Sequence, residues 1–209
     1  MAKQLAFYFD ASACADCKAC QIACMDRADR GVDVKWRRVY QYEGGGWLPH
    51  PTQPGVMMPS NVFTYSLSIS CMHCENPICM EVCPAAAITK RDYGIVLIDE
   101  DKCIGCRYCE WACPYSAPQF DEAKKVMTKC DFCADILDEG GKPACVEACV
   151  MRCLDFGELE ELREKYGDLA YIAPLADPEA TKPAFVVTPH KDSQVKRANG
   201  RLVNFPEEV

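Results

Sequence analysis

The sequence predicts an α+β protein organised by a cysteine repeat, with a small β insertion and an extended C-terminal tail. Three observations lead there. Sixteen of the seventeen cysteines fall in four groups, each closing on C-x3-C. Two stretches, Val34 to Glu43 and Asn61 to Ser70, alternate in side-chain character as strands do. Glu158 to Leu169 repeats its apolar residues at helical spacing, and a proline-punctuated segment follows.

In chain order, Met1 to Asp10 carries a short apolar run without a small-residue cleavage site, and is read as no signal peptide. The first cysteine group is Cys14, Cys17, Cys20 and Cys24, spaced C-x2-C-x2-C-x3-C. Val34 to Glu43 sets Val34, Trp36, Arg38, Tyr40 and Tyr42 on one side and then meets Gly44, Gly45 and Gly46, a strand running into a turn. A loop with Pro49, Pro51, Pro54 and Pro59 precedes Asn61 to Ser70, where Phe63, Tyr65, Leu67 and Ile69 share a face. The two stretches suggest an antiparallel pair inserted between the first and second cysteine groups.

The second group is Cys71, Cys74, Cys79 and Cys83, followed by Pro84. Gly94 to Asp99 reads as a short apolar strand leading into the third, Cys103, Cys106, Cys109 and Cys113, followed by Pro114. The fourth, Cys130, Cys133, Cys145 and Cys149, has eleven residues between its middle cysteines. Leu159, Leu162, Tyr166 and Leu169 mark a helix. From Pro174 the sequence carries Pro178, Pro183, Pro189 and Pro206 without periodicity. It is read as a plain surface tail in preference to one draped over a partner.

Composition narrows the chemistry. The 209 residues are 49% hydrophobic with cysteine counted, about 41% without it, a thin supply for a core. A net charge of -8 argues against a nucleic-acid partner, and no apolar run approaches the length of a membrane span. In a reducing cytosol, so many thiols point to metal before disulfides. Zinc uses two separated C-x2-C hooks and leaves a third close cysteine without a role. Disulfides between cysteines three apart are strained. Iron-sulfur ligation uses every one of the sixteen grouped thiols, and the third group has the spacing of bacterial ferredoxins. In that pattern three thiolates hold one cubane within a curled loop, while the fourth lies a helical turn further on and serves a neighbour.

Residues 103 to 115, Cys-Ile-Gly-Cys-Arg-Tyr-Cys-Glu-Trp-Ala-Cys-Pro-Tyr, resemble the iron-sulfur electron-transfer subunit of the dimethyl sulfoxide reductase family of molybdoenzymes. So do Ser68 to Cys74, Lys129 to Cys133, Leu154 to Gly157, Arg37 to Tyr40 and Lys165 to Ala170. The resemblance implies two ferredoxin-like double-cluster units. One is built from residues 1–35 and 125–157 and the other from 68–124, with a β-hairpin-like insertion over 36–67 and a helix plus tail over 158–209. It implies four [4Fe-4S] clusters with exchanged fourth cysteines. The quartets would be Cys14, Cys17, Cys20 with Cys149; Cys130, Cys133, Cys145 with Cys24; Cys71, Cys74, Cys79 with Cys113; and Cys103, Cys106, Cys109 with Cys83. Related nitrate reductase subunits have tryptophan in place of Cys106 and a three-iron cluster, so the cysteine here implies four irons. Cys24 and Cys149 lack the following proline, which leaves the local turns there open.

The resemblance further implies a non-catalytic wire between a quinol-oxidising membrane anchor subunit and a large molybdopterin catalytic subunit. The place implied is the periphery of the cytoplasmic membrane, reached by export with the catalytic subunit, with a cytoplasmic place as the alternative. Service to another oxidoreductase such as a formate dehydrogenase, a soluble polyferredoxin, or a zinc-bound interaction module are the competing readings. Lys18, Lys102, Arg107 and Lys129 adjoin ligands, and are read equally as tuning charges or as solvated surface. His73 is expected to pack or hydrogen-bond, and His50 and His190 stand apart in loops. Cys153, the seventeenth thiol, is read as buried and inert in preference to a spare ligand.

Overall fold

The computed structural model describes residues 3–194 and 200–205. Strand β1 (Leu5–Asp10) leads through the first cysteine loop into α1 (Ala19–Ala28). A long hairpin follows, β2 (Arg38–Pro49) with β3 (Met57–Ile69). The middle of the sequence is built of short pieces: α2 (Ile78–Glu81), the hairpin β4 (Ile88–Lys90) and β5 (Val96–Ile98), α3 (Tyr108–Ala112), and the hairpin β6 (Gln119–Asp121) and β7 (Val126–Thr128). Helices α4 (Ala134–Asp138) and α5 (Ala144–Glu147) occupy the insertion in the fourth group. Strand β8 (Leu154–Glu158) runs directly into α6 (Leu159–Tyr166), and β9 (Phe185–Thr188) and β10 (Arg201–Leu202) follow.

Helices of four or five residues do not hold by themselves, because nucleation costs more than one or two hydrogen bonds return. Each helix from α1 to α5 carries a grouped cysteine or is capped by one: Cys20 and Cys24 in α1, Cys79 in α2, Cys109 in α3, Cys133 before α4 and Cys145 in α5. Each of these elements thus has a cysteine where an anchor is needed.

The sheet in the order β8-β1-β9 is apolar on both sides. Strand β1 pairs antiparallel with β8 and parallel with β9. Phe7, Phe9, Phe185 and Val187 enter the main core with Cys20, Cys24, Cys71, Cys130, Cys145 and Cys149. Ala6, Tyr8, Ala184 and Val186 face the other way and meet Leu159 and Leu162 of α6. A sheet covered on both faces is coded by continuous apolar runs instead of alternation. A separate cluster of Ile88, Val96, Cys109 and Met127 underlies the third group.

Phe132 is fully buried at the centre. Its ring stacks on Phe7 at 4.1 Å and meets His73 and Phe156 edge-on. Phe132→Ala is expected to cost about 3–5 kcal/mol, read as a lower denaturation midpoint. A shift under about 1 kcal/mol would mean that the ring carries no weight there.

Arg30, just past α1, ties the first segment to the third group by gripping Glu100 and Asp121. Burial pushes the Glu100 carboxyl up, but hydrogen bonds from Arg30 and Lys124 outweigh it and hold the pKa below its usual value. Backbone hydrogen bonding from Lys124, with Arg30 beside it, likewise lowers Asp121.

The fold corrects three sequence readings. The glycine run is not a turn, since Gly44 to Gly46 lie within β2, shifted by a bulge opposite β3, and the chain reverses beyond Pro49. Gly45 has φ 102°, and a Cβ there would stand 2.6 Å from the Asn61 carbonyl oxygen, so the bulge requires glycine. The helix ends at Tyr166, with Gly167 at φ 93°, so Leu169 lies outside it. The segment after Pro174 is no plain surface tail: Ala184 to Val187 are among the most buried residues, and Leu202 pairs with Tyr42. Pro206 lies outside the described residues.

Candidate iron-sulfur sites

The four cysteine loops share a backbone device. The residue two beyond the first cysteine of each group, Asp16, His73, Gly105 or Phe132, has a positive φ. That left-handed step turns N–H groups back onto sulfur. His73 N–H donates to Cys71 Sγ at 3.5 Å, Phe132 N–H to Cys130 Sγ at 3.4 Å, and Asp16 N–H to Cys14. In the third group the donor to Cys103 Sγ is Met127 N–H, at 3.3 Å. Only Gly105 lacks a side chain among the four, and a Cβ there would come 2.5 Å from the Lys125 carbonyl oxygen.

A second device follows the last cysteine of three groups. Ala86, Ser116 and Arg152 take positive φ, and their N–H groups donate to the carbonyls of Cys83, Cys113 and Cys149 at 3.3, 3.1 and 3.2 Å. Proline is therefore dispensable for this turn, since Val150 stands where Pro84 and Pro114 do. Only after Cys24 does the helix simply continue, to Ala28.

Three cavities gather thiols from separate groups. One is lined by Cys83 with Cys103, Cys106 and Cys109, and a second by Cys113 with Cys71, Cys74 and Cys79. The third has Cys149 with Cys14, Cys17 and Cys20. The remaining four thiols are also neighbours: Cys24 lies within electrostatic reach of Cys145 and Cys133, and Cys130 of Cys24 and Cys145. Among the described residues no three His, Cys, Asp or Glu side chains close up as a site for a single ion. In three of the sets the thiols line a small apolar space. Four sulfurs about an apolar space, with N–H donors aimed at sulfur, fit an iron-sulfur cubane better than a zinc ion.

Left as thiols, several of these groups are held neutral. Burial, with neighbouring sulfurs adding to it, pushes Cys24, Cys74 and Cys79 up to about 12 and Cys109 to about 11. Burial likewise raises Cys133 to about 11. Cys14 is the exception, lowered to about 7 chiefly by a hydrogen bond from Cys153. Cys153 is buried and lines the same cavity, with its sulfur 3.5 Å from that of Cys149.

His73 is fully buried, and its Nδ1 accepts from Val96 N–H at 3.0 Å, a hydrogen-bonding and packing role. Of the cations singled out in the sequence, Lys129 is buried, lines the Cys71 cavity, and donates to the Val96 and Cys130 carbonyls. Lys102 and Arg107 are surface groups paired with Asp99 and Glu110, and Lys18 borders the Cys14 cavity. His50 and His190 accept local backbone N–H groups through Nδ1. Sequence reasoning missed Arg37, 2% exposed, whose pKa burial would lower but the sulfurs of Cys145, Cys20, Cys130 and Cys24 raise. No periodicity marks it, because Arg37 and Arg38 point into different parts of the interior.

No helix among the described residues is long and apolar enough to cross a membrane. Residues 62–159 match the family model described as a 4Fe-4S dicluster domain. The B subunit of the anaerobic dimethyl sulfoxide reductase of Shigella flexneri is 50% identical over 210 residues, covering all of both proteins. The B subunit of the polysulfide reductase of Wolinella succinogenes is 35% identical, over 91% of this protein and 97% of its own length. The thiosulfate reductase electron transfer subunit of Salmonella typhi is 37% identical, over 77% and 79%. A cysteine framework of this kind, matched at half identity from end to end, places the protein in the family of dimethyl sulfoxide reductase B subunits, the iron-sulfur subunits of such reductases.

Proposed function

We propose that this protein is a four-cluster electron relay, joining a quinol-oxidising membrane subunit to a molybdopterin catalytic subunit that reduces a small oxidised substrate. The observation that carries the reading is the lining of three cavities, each by three cysteines of one group and one of another. Extended to the fourth set, the ligands are Cys14, Cys17, Cys20 and Cys149; Cys24, Cys130, Cys133 and Cys145; Cys71, Cys74, Cys79 and Cys113; and Cys83, Cys103, Cys106 and Cys109. This exchange makes two ferredoxin-like units, one from residues 1–35 and 125–157 and one from 68–124.

A [4Fe-4S] cluster with four thiolate ligands passes one electron and offers no open iron for substrate, so catalysis belongs to another subunit. The protein's own residues supply donors to the sulfurs: the N–H groups of Asp16, His73, Met127 and Phe132 stabilise thiolate charge at Cys14, Cys71, Cys103 and Cys130. Partner contact has candidate surfaces beside two of the cysteine loops. Ile104, Tyr108 and Trp111 are exposed beside the Cys103 loop, and Val150 and Met151 beside Cys149. Docking to the membrane subunit would hold the protein at the membrane periphery, on the outer face if it is exported with the catalytic subunit.

The test is anaerobic purification of the native assembly. About sixteen irons and as many acid-labile sulfides per polypeptide, together with co-elution of a molybdopterin-bearing subunit, are expected. A colourless zinc protein would overturn the cluster reading, and a brown protein eluting alone at its own mass would overturn the complex.

A further inference from the structure

Burying a guanidinium without an anion is among the most expensive acts in folding, and the usual remedy is a carboxylate at hydrogen-bond distance. Arg37 has none. Its Nη1 donates to the Ser68 carbonyl at 3.3 Å and to Ser68 Oγ at 3.1 Å, and its Nη2 donates to Ser70 Oγ at 3.0 Å. Its Nε has no partner among the described residues, and the Phe7 ring lies 4.8 Å beneath the guanidinium carbon. Every hydrogen-bond partner is neutral. The groups around it that can carry negative charge are sulfurs: Cys20 of one proposed quartet, and Cys24, Cys130 and Cys145 of the next. The backbone joins in, since Arg37 N–H donates to Cys24. On the far side a small cavity brings Arg37 together with Ser68, Ser70 and Cys71.

Ser68 completes the arrangement. Its hydroxyl accepts from Arg37 and lies 3.3 Å from Cys20 Sγ. A metal-bound thiolate has no proton to give, so the hydroxyl donates to it. The series of donors runs from Arg37 to Ser68 to Cys20, and the positive charge polarises the last bond.

Resting on the four-cluster reading, we infer that Arg37 is a resident counter-ion for the first-and-fourth unit. Through its charge and the Ser68 hydroxyl it holds, it raises the reduction potentials of the clusters at Cys14, Cys17, Cys20 and Cys149 and at Cys24, Cys130, Cys133 and Cys145. Reduction adds one negative charge to a cluster and breaks no bond to the protein. A fixed buried cation stabilises the reduced form more than the oxidised one. The cavity at Cys83, Cys103, Cys106 and Cys109 shares no lining residue with the surroundings of Arg37, and serves as the internal control.

The experiment is an EPR-monitored redox titration of the purified complex carrying the wild-type subunit, Arg37→Gln, Arg37→Lys or Ser68→Ala, with iron counted in each. Arg37→Gln should lower the midpoints of two clusters and leave the control cluster where it was. Arg37→Lys, which keeps the charge, should recover most of the loss. Ser68→Ala should lower the midpoint of the Cys20 cluster alone. If Arg37→Gln loads its full iron and titrates as wild type, the inference is overturned. If that variant fails to assemble, Ser68→Ala decides, and an unchanged titration there overturns it equally. A wild-type complex without four clusters would instead sink the reading on which the inference rests.

Discussion

Stripping the iron from the loaded protein should unfold residues 71–149 while the β8-β1-β9 sheet persists. Helices α2 to α5 and strands β4 to β7 are three to five residues each, too short to survive without an anchor. Their anchors are cysteines, which burial would return to neutral thiols once the metal is gone. Structural zinc alone contributes about 10–16 kcal/mol to small domains, against a whole-domain stability of about 5–15 kcal/mol. The loss of several clusters therefore exceeds the net stability of an ordinary domain. Arg37 would at the same moment lose its counter-charge. The sheet is different, because α6 covers its other face with a core that contains no grouped cysteine. Hydrogen exchange on oxidised, chelator-treated protein measures this directly. Retained protection across 71–149 would show that the fold stands without metal. Reloading should release protons, because thiols near 11 to 12 must ionise to bind, and should weaken as the pH falls.

Removing Cys24 should extinguish a cluster belonging to the opposite end of the sequence. Its sulfur faces Cys145 and Cys133, more than a hundred residues away. Cys24→Ala and Cys133→Ala should therefore lose the same EPR component, while Cys17→Ala loses another, with iron falling to about twelve per polypeptide in each. If Cys24→Ala matched Cys17→Ala instead, each group would be completing its own quartet and the exchanged topology would be wrong. The corresponding experiment at Cys149 needs Cys153→Ala as well, because that thiol lies 3.5 Å from Cys149 and is placed to substitute for it.

Much of the local chemistry was legible in the sequence, and the reasons are specific. Ligand spacing is a short-range property. The first two thiols of each group stand three residues apart, and the left-handed step between them at Asp16, His73, Gly105 and Phe132 is what so tight a curl demands of the backbone. The hairpin was legible through alternation, but its turn was misplaced because three glycines in a row imitate a reversal. Here they form a bulge inside β2. Strands β1 and β9 escaped notice because both of their faces are buried. Neither Leu5 to Asp10 nor Phe185 to Thr188 alternates, and Pro183 and Pro189 disguised the second as loop.

The sequence by itself determined the candidate ligands, four repeats of thiols at loop spacing in a composition thin in hydrocarbon. Only the tertiary structure decided what surrounds those thiols. It brought Cys149 to Cys14 and Cys83 to Cys103, drew Phe185 to Thr188 into the central sheet, and set the guanidinium of Arg37 among the sulfurs. The physical reason is range. Backbone curvature around a ligand loop is settled within a few residues, whereas the field felt by a buried charge is the sum over neighbours that sequence distance does not order.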